Sequence, residues 1–130
     1  MKYMLLIYLD ENGLSEAERS ECYQASAAYA RKLHGDGRYL YAGPLHPTST
    51  ATSVRIRDGK RLITDGPFAE TREQLGGYFL IEVDNLDQAI EIAGEIPAGR
   101  WGTVEIRPVL EIEGLPDTST AKEDKRHAVA

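Results

Sequence analysis

The chain has 130 residues, enough for one domain around a single core, and its 42% hydrophobic and 28% charged content is an ordinary globular balance. Fifteen Lys and Arg against 21 Asp and Glu give a net charge of −6, so no basic stripe is present to displace counterions from phosphates, and nucleic acid is not an expected partner. No apolar run approaches the ~20 residues of a membrane span, and the opening Met1-Lys2 with Tyr3 to Leu9 lacks the features of a signal peptide, so a cytoplasmic protein with no membrane partner is expected.

In chain order, Tyr3 to Leu9 is a near-continuous apolar run that predicts a strand in the centre of a sheet. Ser15 followed by Glu18 reads as a capping box, and Cys22, Ala25, Tyr29 and Leu33 recur at helical spacing, which predicts a helix over 16–34 closed by Gly35 and Gly37. Tyr39 to Gly43 is β-like until Pro44 and Pro47 end it. Thr52 to Arg57 and Lys60 to Thr64 flank Asp58-Gly59, a strong hairpin signal because a type I′ turn needs positive φ at both central residues.

After a loop, Tyr78 to Val83 predicts a strand. Asn85 with Gln88 caps a second helix that carries Leu86, Ala89, Ile90 and Ala93 and that Pro97 ends. Thr103 to Ile112 alternates imperfectly around Pro108, as a final strand near an edge would. From Gly114 onward the chain is polar, with Lys122, Lys125 and Arg126 interleaved with Glu123 and Asp124, so residues 1–113 are expected to form the domain and 114–130 a flexible tail.

The resulting order is that of an α+β, ferredoxin-like βαββαβ domain with an inserted β-hairpin. Helices on one sheet face leave the other uncovered, and its strands are too apolar for a solvated face. A second copy of the chain is the simplest cover, so a homodimer is expected. Cys22, the only cysteine, reads as a small core residue, with Glu18 and Glu21 opposing a reactive thiolate. Neither a P-loop nor a Gly-x-Gly-x-x-Gly is present, and His34, His46 and His127 have no zinc-like spacing, so no cofactor and no metal are expected.

The densest functional signal is Asp65-Gly66-Pro67-Phe68-Ala69-Glu70-Thr71-Arg72-Glu73-Gln74-Leu75-Gly76-Gly77, where backbone punctuation holds three acids and an arginine near a constrained main chain, Gly76-Gly77 supplying angles closed to other residues. This stretch, with the opening Met1 to Tyr8, Pro44-Leu45-His46-Pro47, Val54 to Lys60 and Val104 to Pro108, resembles the YCII-related family, and more narrowly its DGPF-domain branch. The resemblance implies a dimeric α+β barrel, two ferredoxin-like sheets packed face to face. It also implies a suspected catalytic histidine and aspartate, for which the matching positions are His46 and Asp65. In the wider family that histidine lies on the first helix, where this chain has none before His34. Some members of the branch occur beside or fused to extracytoplasmic-function sigma factors.

His46 lies between Pro44 and Pro47, so its backbone is restricted. An adjacent Asp65 would orient it as a general base, and the competing reading is a loop histidine beside a turn acid. Arg72 can hold a carboxylate or phosphate, with Glu70 as a second substrate-binding candidate, or Arg72 can simply pair with Glu70 and Glu73. Two functions therefore stand: a small enzyme acting on a compact organic metabolite through His46 and Asp65, and a non-catalytic dimeric module that binds a ligand or a partner protein.

Overall fold

The computed structural model describes residues 1–116. The elements are β1 (Lys2–Leu9), α1 (Glu16–Gly35), β2 (Tyr39–Pro44), β3 (Thr52–Arg57), β4 (Lys60–Asp65), β5 (Gln74–Glu82), α2 (Leu86–Gly94) and β6 (Gly102–Pro108), with short 3-10 turns at Glu11–Gly13, Thr48–Thr50 and Pro97–Arg100. From residue 117 on, the tail read from the sequence lies outside the described residues.

Four strands form one antiparallel sheet in the order β2-β5-β1-β6, the ferredoxin-like arrangement, and β3 and β4 form a separate hairpin. The central place of β1 follows from its composition. Tyr3, Leu5 and Ile7 alternate onto the face under the helices and are buried, while Met4, Leu6 and Tyr8 alternate onto the opposite face and are partly exposed. Leu5 and Ile81 lose all solvent contact, each contributing roughly 2 kcal/mol of hydrophobic stabilisation. Phe79 and Ile81 of β5 meet Ala89, Ile92 and Ala93 of α2 and Cys22 and Leu33 of α1 in one core.

Both helices start where their caps dictate. The Ser15 hydroxyl accepts from the Glu18 N–H at 3.1 Å, and the Glu18 carboxylate accepts from the Ser15 N–H at 3.0 Å, completing the capping box. The Asn85 side chain accepts from the Gln88 N–H at 3.0 Å. At the end of α1, Gly37 takes φ +74 while the Arg38 N–H donates to the Leu33 carbonyl at 3.0 Å, a left-handed stop that only glycine adopts at little cost. The hairpin turn has Asp58 at φ 51 and Gly59 at φ 75, the two positive values its sequence signals.

Three boundaries differ from the sequence reading. β5 begins at Gln74, four residues before the expected Tyr78, so Gly76 and Gly77 belong to a strand and neither has positive φ. At Gly77 the missing side chain serves close approach instead. A Cβ on Gly77 would lie 3.0 Å from the Gly43 carbonyl oxygen and 3.2 Å from the Pro44 Cα, and Gly76 sits in the bulge where the β1–β5 register shifts between Ile7 and Tyr8. α2 ends at Gly94, and Pro97 opens the next 3-10 turn rather than terminating the helix. β6 stops at Pro108 instead of Ile112, because proline has no N–H to continue the ladder; one further bond, Val109 N–H to the Lys2 carbonyl at 2.9 Å, closes it.

Candidate functional site

Two of the clefts matter for function, and small residues create the first. Along α1, Cys22, Ser26, Ala27 and Ala30 recur on one face, and across from them the sheet presents Gly43, Gly76 and Gly77. Where small residues face small residues, the ordinary spacing of a helix on a sheet is left unfilled. The result is a mainly apolar cleft of about 410 Å³, floored by Ile7 and Phe79 and walled by Pro44, with Ser26 and Arg31 among its polar groups. Cys22 is buried and free, and burial raises its thiol pKa, opposing thiolate chemistry in this wall.

The second cleft, about 710 Å³, lies on the sheet face away from the helices. Tyr8, Thr103 and Glu105 line it from β1 and β6, and Asp10, Arg72 and Glu73 close its end. The centre of that face is aromatic and aliphatic: Tyr41 stacks on Tyr78 with ring centroids 6.0 Å apart and planes at 21°, Met4, Leu6 and Leu80 continue it by strand alternation, and Lys2, Glu82 and Arg107 bound it. A solvated antiparallel face alternates to polar side chains; β6 does so with Thr103, Glu105 and Arg107, whereas the centres of β1 and β5 stay apolar there.

The residues singled out by sequence separate between these places. Arg72 enters the open-face cleft, and its guanidinium forms no ion pair with Glu70 or Glu73. His46 and Asp65 are both exposed, and no hydrogen bond or ion pair joins them in this chain. Asp65 ends β4 opposite Thr52. The turn that follows is pinned by the Gly66 N–H donating to the Ala51 carbonyl at 2.7 Å and the Ser53 hydroxyl donating to the Gly66 carbonyl at 2.8 Å, with Gly66 at φ +103. Glu70 lies exposed in the loop beyond it.

His46 stands two residues past Pro44, in a segment held at both ends. The Leu45 N–H donates to the Gly76 carbonyl at 2.9 Å, and at the other end the Glu11 carboxylate accepts from both the Thr48 N–H and the Thr48 hydroxyl at 2.8 Å. Glu11 is itself fixed, its N–H donating to the Gln74 side chain at 3.0 Å and its carbonyl accepting from Arg19 at 2.7 Å. Glu11 and Thr48 thus position the His46 segment against the end of β1, a role the sequence did not show because the pair is 37 residues apart and carries no local motif. Among the described residues no group of three or more His, Cys, Asp or Glu side chains is arranged to hold a metal ion, and no helix is long and apolar enough to cross a membrane.

This geometry has relatives. An uncharacterized protein of Rhizobium meliloti (strain 1021) is 34% identical over 114 residues, covering 84% of this chain and 92% of that protein. Among solved structures, 5-chloro-2-hydroxyhydroquinone dehydrochlorinase (TftG) from Burkholderia phenoliruptrix AC1100, in complex with 2,5-dihydroxybenzoquinone, matches with a TM-score of 0.52 over 87% of this chain and 97% of that one. At 15% identity that likeness is one of fold. The model of the YCII-related domain matches residues 1–113, from the first strand to the last turn of the folded part, and the chain belongs to that family.

Proposed function

We propose that this protein is a homodimer that binds a small, largely apolar organic molecule in the cleft between α1 and the sheet and acts on it by proton transfer at His46. The observation that carries the reading is the cleft itself. Its volume of about 410 Å³ falls among ligand sites, which run from roughly 300 to 1,000 Å³ and are mostly apolar with a few placed polar groups. Ser26 and Arg31 supply a hydroxyl and a cation suited to an oxygenated ring, and the fold neighbour TftG is an enzyme whose bound compound is a single oxygenated ring.

His46 takes the proton-transfer role because its backbone is held by the Leu45 and Thr48 bonds next to the Pro44 wall. Asp65 serves as the partner acid only if ligand binding or dimerisation brings it to the imidazole, since the two are not joined in the single chain. Arg72 stands in the open-face cleft and Glu70 in the exposed loop, outside the lining of the α1 cleft, so neither is given a role in this site. The dimer follows from the uncovered face of Met4, Leu6, Tyr8, Tyr41, Tyr78 and Leu80, which a second copy would bury sheet against sheet.

The test is calorimetric titration with 2,5-dihydroxybenzoquinone and related hydroxylated rings against wild type, Ala27→Trp and His46→Ala. Ala27→Trp fills the cleft and abolishes binding without lowering the melting temperature, while His46→Ala keeps binding and loses turnover. Binding that survives Ala27→Trp places the ligand elsewhere. A second reading, a non-catalytic dimeric binding module, is favoured by the separation of His46 from Asp65; tight binding with no turnover by wild type would select it.

A further inference from the structure

We propose that Arg31 makes the α1 cleft selective for a ring that carries one acidic oxygen group, a carboxylate or a phenolate, held on the guanidinium while the ring lies among the apolar walls. The inference rests on the reading of that cleft as the ligand site and names the class of molecule it takes.

The helix presents the cleft with two neighbouring rows at four-residue spacing, Cys22-Ser26-Ala30 and Tyr23-Ala27-Arg31, and all six residues line it. Arg31 ends the second row, about 6 Å along the helix axis from Ala27. A single ring against Ala27 and Ala30 therefore has a cation one turn away, within reach of a substituent on that ring. Among the lining residues Arg31 is the single cation, and no Asp, Glu, Lys or His joins it.

Two other clefts set the contrast. The open-face cleft has Arg72 with Asp10, Glu73 and Glu105, and the groove between α1, α2 and β6 has Arg100 with Glu21 and Glu95. In each of those the acids outnumber the cation, as expected from a chain with 21 acids and 15 bases. The α1 cleft reverses the balance, so its field attracts an anion and repels a protonated amine.

Arg31 forms no ion pair among the described residues, and its neighbours one turn away on the helix are Ala27, Ala28, His34 and Gly35, none of them acidic. A cation near a helix C-terminus can instead serve the helix dipole, but Lys32 and His34 already occupy the last turn of α1. The guanidinium offers a planar fork of donors that fits both oxygens of a carboxylate and can also donate to the one oxygen of a phenolate. Because Arg31 is exposed, it sets which ring is chosen, and the apolar walls supply most of the affinity.

Calorimetric titration with matched single rings, at a pH that ionises both acids, tests the assignment. Benzoate is compared with neutral benzamide, and para-nitrophenolate with neutral para-nitroanisole, on wild type, Arg31→Met, Arg31→Gln and Ala27→Trp. The expected result is that wild type binds at least one anion about tenfold more tightly than its neutral partner, that added salt reduces the difference, and that Arg31→Met equalises the pair while leaving the neutral ring's affinity unchanged. The arm that shows the preference names the acidic group. Arg31→Gln, also a helix former, repeats the measurement should circular dichroism show that Arg31→Met folds poorly. Equal binding of charged and neutral rings by wild type, or a preference that survives both Arg31 variants, overturns the selectivity and leaves the cleft as the ligand site so long as Ala27→Trp abolishes binding. Rings that bind Ala27→Trp as well as wild type, or that bind neither, overturn the cleft reading and the selectivity with it.

Discussion

The β1–β5 pair and the β3–β4 pair are both antiparallel and meet opposite fates. β1 is apolar on both faces and β3 alternates Val54 and Ile56 with Arg55 and Arg57, yet Tyr3, Leu5 and Ile7 are sealed beneath two helices whereas Val54, Ile56 and Ile63 face water. Alternation specifies that a strand forms and which residues share a face. Whether that face is buried depends on what the rest of the chain, or a second chain, brings to it.

The largest expected effect lies in the sheet. A Cβ on Gly102 would overlap the Tyr8 carbonyl on the neighbouring strand, so Gly102→Ala costs about 3 kcal/mol or prevents folding, as urea denaturation will report. Gly35→Ala, where nothing lies within 4 Å, is its tolerated control. Next, Ile81→Ala in the sealed pair costs about 3 kcal/mol, while Ile63→Ala in the hairpin stays within about 0.5 kcal/mol at concentrations too dilute for association. Equal losses at the two positions would erase the distinction between the regions.

Two smaller predictions sharpen the account of the helical layer that seals β1 and β5. The Tyr29 hydroxyl donates to the Ile92 carbonyl at 3.0 Å and so ties α1 to α2, and Tyr29→Phe costs about 1 kcal/mol. Burial, followed by the nearby Glu95 charge, pushes the Tyr29 pKa from 10.0 up to about 12. A raised folded-state value favours the native state fully below pH 10.0 or so and stops doing so as the folded phenol ionises. Wild type therefore loses stability relative to Tyr29→Phe as pH rises from 10.0 through about 12, which phenolate absorbance and melting curves can follow. Ser15→Ala removes the hydroxyl half of the capping box and costs about 1 kcal/mol. The Ser15 N–H, and after it the Ser15 hydroxyl, hold the Glu18 carboxyl below its ordinary 4.5, so this contribution is present above pH 4.5 and fades as pH falls through the depressed value; Ser15→Ala keeps the N–H bond and so shrinks that acid-side slope without abolishing it.

Much of the fold was legible because its signals are local. Ser15 with Glu18, Asn85 with Gln88, and Asp58-Gly59 each act within a few residues, and all three formed as read. The Gly76-Gly77 pair was misread because its reason is not local: Gly77 admits Gly43 and Pro44 of another strand and Gly76 sits in a bulge against β1, and neither takes a special φ. The candidate site was less legible still. Sequence named His46 and Asp65 as a general base with its orienting acid, or else a loop histidine beside a turn acid, but nothing near them in the chain fixes the distance between them.

The sequence by itself determined the elements, the order of strands and helices, the caps, the hairpin turn and the family, because hydrophobic period and turn chemistry operate over a few residues. Tertiary structure alone decided the rest. It opened the α1 cleft by placing Ser26, Ala27 and Ala30 opposite Gly43 and Gly77, anchored the His46 segment through Glu11 and Thr48, sent Arg72 to the open face, and left the hairpin uncovered. Each of these depends on groups far apart in sequence meeting in space, and no window along the chain contains both partners.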